Sequence, residues 1–267
     1  MTVAALTETV DLERYPVHDL DGPAGRALVM RCRAELADLG ACDLPQFLRP
    51  ETVGRIVDEV AETRALAYRT ATTHDIEFSG REEADLAPDD PLRIRVRSAK
   101  GCVAYDQLPA SSVLRALYEM DELTRFVGAA LEVDPLYRQA DEIGALNVMF
   151  YEPDDELGWH FDNADFVVTL MLQPATTGGV FEYVPMLRTP GDANPEGVRA
   201  LLQGDRSRVR TMNAEPGTLA LFRGRLSPHR VTPVEGVRPR INAVLSYARE
   251  PEARLTASAR RIFYGRD

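Results

Sequence analysis

The spacing of apolar residues changes character near residue 140. Before that point apolar positions recur every third or fourth residue. Leu28, Cys32, Leu36 and Leu39 follow Pro23 in this way and Gly40 closes the run, which predicts an amphipathic helix over residues 23–39. Residues 41–48 are short and proline-interrupted, an edge-strand pattern. Pro50 suits a first helical position, and Val53, Ile56, Val57 and Val60 carry a stripe running to about residue 68. Residues 70–92 are polar and rich in Asp, Glu and Thr, which predicts a long loop containing His74. Residues 93–96 alternate charged and β-branched side chains, as a strand does. Ser111 or Ser112 then caps a helix whose apolar side is Val113, Leu114, Leu117, Leu123, Phe126, Val127, Ala130 and Leu131.

Beyond residue 140, apolar runs of five to eight residues alternate with turns such as Thr176-Thr177-Gly178-Gly179, Glu215-Pro216-Gly217 and Glu235-Gly236-Val237. One helix interrupts them, capped by Asn194 with Pro195 at its first position. Helices followed by many short strands predict an α+β fold, a jelly-roll-like barrel backed by N-terminal helices. We expect a single domain over residues 1–267, mainly helical over 1–140, with a β core over 141–250 and a C-terminal tail over 251–267.

Composition changes this picture little. The 267 residues are 45% hydrophobic and 27% charged, ordinary for a globular chain. A net charge of −11 counts against a nucleic-acid partner, whose phosphates such a surface repels. The basic cluster Arg206, Arg208 and Arg210 sits among turn residues and reads as a solvated face. The three cysteines, Cys32, Cys42 and Cys102, contain no C-x-x-C pair, so neither a disulfide framework nor a zinc ribbon is suggested. The N-terminus lacks a basic region followed by an apolar core, and no window approaches 18 uninterrupted apolar residues. A cytoplasmic protein without a membrane partner is the expectation.

Candidate chemistry concentrates in residues 146–173. Side chains alternate along an extended chain, so His160 and Asp162 point to one side. An imidazole and a carboxylate placed together supply two ligands of a divalent metal. Of the four histidines, His229 follows this stretch at another strand-to-turn junction, whereas His18 and His74 precede it and are read as non-ligands. Two histidines and a carboxylate form the facial triad that binds Fe(II) and leaves coordination positions open. Farther on, Arg240, Asn242 and Val244 share one face of an apolar strand. A buried arginine needs an anionic partner, and a dicarboxylate bound end-on supplies one.

Together, H-x-D at 160–162, HRVTPV at 229–234 and Arg240 resemble the Fe(II)- and 2-oxoglutarate-dependent oxygenases with a double-stranded β-helix (jelly-roll or cupin-like) core. The resemblance covers roughly residues 143–247. GWHFDNADF (158–166), LMLQ (170–173), GGVFEYVP (178–185) and HRVTP-x-x-G-x-RPRIN-x-VLSY (229–247) are similar to the radical halogenases and hydroxylases that act on free amino acids. The resemblance implies that His160, Asp162 and His229 hold iron as the catalytic centre. Arg240, with Arg238 as the alternative, pairs with the distal carboxylate of 2-oxoglutarate. Tyr151 falls near a cosubstrate-binding tyrosine of prolyl-hydroxylase-type relatives, and Asn242 is grouped with these cosubstrate residues. O₂ is the further reactant.

Halogenases of this group carry glycine where this chain has Asp162, so the resemblance implies hydroxylation. Relatives that take a basic amino acid carry an acidic residue where Asn163 stands, which argues against a lysine-like substrate. Trp159 and Asn163 are candidate contacts to a small, amino-acid-like substrate. The turn at 153–156, Arg97, Phe181 and Tyr183 read as solvated or packing positions. Desaturation, epimerisation or ring closure on the same scaffold remain alternatives, as does a ligand-binding barrel without redox metal.

Overall fold

The computed structural model describes residues 3–266. Its helices are α1 (Val3–Thr9), α2 (Pro23–Leu39), α3 (Pro50–Thr63), α4 (Val113–Tyr118), α5 (Asp121–Leu131), α6 (Pro195–Leu202) and α7 (Ala257–Tyr264). Its strands are β1 (Ala41–Leu44), β2 (Tyr68–His74), β3 (Val96–Val103), β4 (Tyr137–Arg138), β5 (Leu146–Tyr151), β6 (Glu156–His160) and β7 (Val167–Gln173). They continue through β8 (Phe181–Tyr183), β9 (Arg210–Thr211), β10 (Leu219–Phe222), β11 (His229–Val231), β12 (Arg240–Leu245) and β13 (Tyr247–Ala248).

Helix α2 matches the expected span. It stops because Gly40 turns left-handed (φ 67°) and its N–H closes on the Leu36 carbonyl, a conformation that glycine adopts without steric cost. Asn194 caps α6 by accepting from the Gly197 N–H. The single helix expected across residues 113–131 is two. Met120 turns extended and is buried, and Asp121 and Glu122 open the new first turn, where the helix dipole favours acidic residues. The strand expected over 93–96 instead runs over 96–103. The polar stretch read as loop begins with β2, an exposed strand paired along its whole length with β3. Neither showed an apolar alternation, because β2 is largely exposed and the inner face of β3 carries Ser98 and Lys100 where aliphatic residues would be usual.

Eleven strands join in one antiparallel sheet, in the order β1-β10-β7-β12-β5-β3-β6-β11-β8-β9 with β2 on β3; β4 and β13 pair separately. The sheet curls into a double-stranded β-helix. Its arms meet where Phe222 of β10 stands edge-on to Phe181 of β8 (5.3 Å) and to His229 of β11 (4.8 Å). On the long arm the two faces differ completely. Leu146, Val148 and Phe150, Val168, Leu170 and Leu172, and Ile241, Ala243 and Leu245 point outward into one core with Leu36 of α2, Ile56 of α3 and Phe126 of α5. The alternate residues, Asn147, Met149, Tyr151, Thr169, Met171, Arg240, Asn242 and Val244, line a cavity.

The C-terminal segment is folded onto this barrel. Asp141, whose side chain is inaccessible, accepts from the N–H groups of Ile143, Gly144 and Leu255 and pairs with Arg260 at 2.7 Å. Burial would push its carboxyl up, but these donors together hold it below the usual carboxylate range. Helix α7 then sets Tyr264 against Asn147, whose Nδ2 donates to the phenol oxygen at 3.1 Å.

Candidate active site

His160 ends β6 and His229 begins β11, and the two are direct cross-strand partners with ring centroids 4.1 Å apart. His160 Nδ1 lies 2.8 Å from the Gly158 carbonyl, and His229 Nδ1 lies 3.1 Å from that of Ser227. A carbonyl only accepts, so both rings carry their proton on Nδ1 and present a bare Nε2 lone pair to the site. Burial pushes His160 down to about 3, with the neighbouring His229 adding to the effect, and burial pushes His229 down to about 4. Both are neutral near pH 7, the form a metal requires.

Asp162 lies just past β6, where its N–H donates to the Gly224 carbonyl at 3.1 Å. Its Oδ1 is 3.7 Å from His160 Nε2 and its Oδ2 is 3.6 Å from His229 Nε2. These separations exceed a hydrogen bond, and one ligand atom from each residue lies within 4.8 Å of the others. Oδ2 is buried without a partner, and burial raises the carboxyl's pKa. A divalent cation among the three atoms satisfies the orphaned oxygen and matches the donor set, so these residues fit iron. The carboxylate depends on Gly224, where a Cβ would come within 1.7 Å of Oδ2.

Aromatic side chains fence the triad. Phe181 stacks on His229 at 5.3 Å and Phe78 meets His160 edge-on at 5.4 Å. Behind His160 runs a hydrogen-bonded chain. The Gly158 N–H donates to Ser98 Oγ (3.0 Å), Ser98 Oγ lies 2.6 Å from His74 Nε2, and His74 Nδ1 lies 2.8 Å from the Asp75 carbonyl. Gly158, whose carbonyl orients His160, is thereby held through its own N–H. His74 lies outside the His160, Asp162 and His229 cluster and braces it from behind; His18 is exposed.

Arg240, 3% exposed, is the first residue of β12 and pairs with Tyr151 of β5. Its guanidinium stands 5.3 Å from the Tyr151 ring centroid, and its Nε has no hydrogen-bond partner. No carboxylate pairs with it among the described residues. A ring face contributes on the order of 2 kcal/mol when desolvated, less than the several kcal/mol that burying an unpaired cation costs. Burial accordingly pushes its pKa down. The group is built to receive an anion. Arg238 is exposed, so the geometry favours Arg240 over Arg238 for the cosubstrate.

The cavity, about 420 Å³, connects the triad, Tyr151, Arg240 and Asn242 with α7. Asn163 lies on its exposed rim. Trp159 is not brought there. It faces away from the cavity into a cluster with Phe161 and Val198, beneath the guanidinium groups of Arg206 and Arg230, because residues adjacent to His160 on a strand face the other side. Phe181, expected only to fill the barrel, lines the cavity against His229, whereas Tyr183 packs with Ala41. Nor is the acidic turn wholly solvated: Asp155 is buried, held by Arg69 at 2.6 Å and by the Glu152 N–H. Arg97 is a surface charge paired with Glu156. Sequence reading passed over Lys100, Gly224 and the residues of α7. Only the lysine left a trace, as a lone charge in a stretch of small residues.

Several solved structures share the fold. AviO1 from Streptomyces viridochromogenes Tue57 superposes with a TM-score of 0.56 at 19% identity, covering 84% of this chain and 96% of that one. The epimerase SnoN from nogalamycin biosynthesis, described as non-heme and alpha-ketoglutarate dependent, gives 0.54 at 16% identity, with 84% and 83% covered. A 2OG-Fe(II) oxygenase family protein from Burkholderia pseudomallei gives 0.53 at 17%, with 84% and 92% covered. No curated protein matches the chain by sequence. The pattern of the Halogenase D family matches residues 25–262, nearly the whole chain. With its His160, Asp162 and His229 cluster and its unpaired Arg240, the chain belongs to the Halogenase D family and is an Fe(II)- and 2-oxoglutarate-dependent oxygenase.

Proposed function

We propose that this oxygenase hydroxylates an unactivated C–H bond of a small, amino-acid-like molecule. The observation that carries this reading is Asp162. In the halogenases this chain resembles, glycine at that position leaves a coordination site for halide. Here a carboxylate occupies it, between the two histidines. With that position filled, oxygen rather than halide is delivered to the substrate carbon.

Bound iron with 2-oxoglutarate and O₂ supplies the oxidant: one oxygen atom goes to the substrate and the other to succinate, with loss of CO₂. The protein's part is placement and exclusion. His160 and His229 hold their Nε2 lone pairs inward through the Gly158 and Ser227 carbonyls. Arg240 and Tyr151 orient the cosubstrate's distal carboxylate. Phe78, Phe181 and Phe222 keep water from the reacting face. Asn163 and the residues of α7 face what remains of the cavity, where the substrate sits.

The test is product mass under turnover with free amino acids. Gain of one oxygen atom, coupled to succinate, is the expected result. Loss of two hydrogens or an unchanged mass would overturn hydroxylation in favour of desaturation, ring closure or epimerisation. In Asp162→Gly with chloride present, chlorinated product is expected in place of part of the alcohol.

A further inference from the structure

Lys100 is the one charged cavity residue that the site described so far does not use. It lies on β3 and is 9% exposed. Gly101 pairs with Phe150 and Cys102 with Met149, so Lys100 stands opposite Tyr151, which in turn pairs with Arg240. Lys100, Tyr151 and Arg240 thus form one inward row across three adjacent strands. Among the described residues the Lys100 side chain has no hydrogen bond and no ion pair; its ammonium lies 6.0 Å from the Phe263 ring of α7. The nearby Asp155 is already taken by Arg69 and the Glu152 N–H. Burial pushes the lysine's pKa down.

Charge balance says what Lys100 waits for. Asp162 is the one carboxylate lining the cavity. A divalent iron, the Asp162 carboxylate, doubly anionic 2-oxoglutarate and Arg240 together sum to zero. Lys100 is then the one cavity cation with no counter-anion beside it, in a space too buried to tolerate that cheaply, and a substrate carboxylate supplies this partner even when the substrate as a whole is a zwitterion. The substrate is the component still to be added, and the lysine stands beside α7, where the cavity has room for it. We propose that Lys100 binds a carboxylate of the substrate, so that the enzyme takes a carboxylic or amino acid with a neutral side chain. The buried Asn147 Oδ1 has no partner and can accept from an α-ammonium, but nothing acidic awaits a second, side-chain amine. This inference rests on the oxygenase reading and names its substrate class.

The test uses the full chain, anaerobic, with Fe(II) and 2-oxoglutarate bound. Neutral free amino acids, each paired with its carboxamide, are titrated while the iron-to-cosubstrate charge-transfer band is followed. At least one acid is expected to perturb the band while its amide does not. Lys100→Met should weaken that acid by about tenfold or more, Lys100→Arg should largely restore it, and 2-oxoglutarate affinity should stay within about twofold in both. A tenfold loss of 2-oxoglutarate affinity in Lys100→Met would instead make the lysine a second clamp on the cosubstrate and overturn the proposal. So would amides that bind as well as acids, or no acid binding at all. Absence of the band in wild type would defeat the oxygenase assignment itself, a separate failure. Thermal melting of Lys100→Met guards against misfolding: with an unpaired buried cation removed, Tm should hold or rise.

Discussion

The two faces of the sheet formed by β5, β7 and β12 are made by the same segments of chain and do opposite work. Phe150 and Ile241 point outward and are wholly or almost wholly buried against the helices. Tyr151 and Arg240, their immediate neighbours in sequence, point inward to a cavity with unpaired polar groups. Each large apolar side chain on the outer face stabilises the fold by about 1.5–3 kcal/mol through removal from water. On the inner face Arg240, Lys100 and Asp162 cost stability until ligands arrive. A strand period of two lets one segment carry both burdens, and the outer face offsets what the inner face costs.

The sharpest way to break this contrast is on adjacent residues. Phe150→Ala should destabilise the protein by about 3–5 kcal/mol in denaturant unfolding, while the folded fraction still binds metal. Arg240→Met should do the reverse. Weakening of 2-oxoglutarate by about 2–5 kcal/mol in anaerobic titration is expected, with stability unchanged or raised, because an unpaired buried cation is gone.

Acid should expose the inner face's cost in the metal-free protein. His160 and His229 titrate at about 3 and about 4 when folded but near their ordinary 6.5 when unfolded. Below 6.5 the unfolded chain takes up protons that the native state refuses, so stability falls as pH drops from about 6.5 toward 4. The expected loss is a few kcal/mol, read from urea midpoints, and bound metal should hold these rings unprotonated and blunt it.

Ser98→Ala removes the hydroxyl between Gly158 and His74. Metal affinity should fall about tenfold, at the lower end for groups that orient a ligand, with little change in Tm. Smallest of all, Trp159→Phe should leave kcat/KM within about twofold, although it stands next to His160, because it faces the other side of β6.

The outer face was legible in the sequence because it is regular. The spacing in α2 and the apolar alternation of β12 are packing signals, and packing is what periodicity reports. The triad was legible because H-x-D at a strand end and a later His at another strand end are chemically distinctive, and alternation puts His160 and Asp162 on one side. What stayed hidden lacked any local signature. Strand β3 hides because its inner face carries Ser98 and Lys100, residues chosen for the cavity, and their polarity erases the apolar pattern. Helix α7 looked like a tail because its place depends on Asp141, more than a hundred residues earlier, gripping Arg260. Trp159 looked like a substrate contact because it adjoins a ligand in sequence, when adjacency on a strand means opposite faces. The roles of Gly158 and Gly224 are visible only once their neighbours are placed: a Cβ at Gly158 would strike Val96 and the Arg97 carbonyl of β3, and one at Gly224 the Asp162 carboxylate.

The account's central claim is that His160, Asp162 and His229 hold iron while Arg240 receives 2-oxoglutarate. Anaerobic addition of Fe(II) and 2-oxoglutarate, followed through the metal-to-ligand charge-transfer band, tests both halves at once. The predicted result is a band in wild type that disappears in His160→Ala and weakens in Arg240→Ala. A wild-type protein that develops no band, or one whose band survives His160→Ala unchanged, would contradict the account.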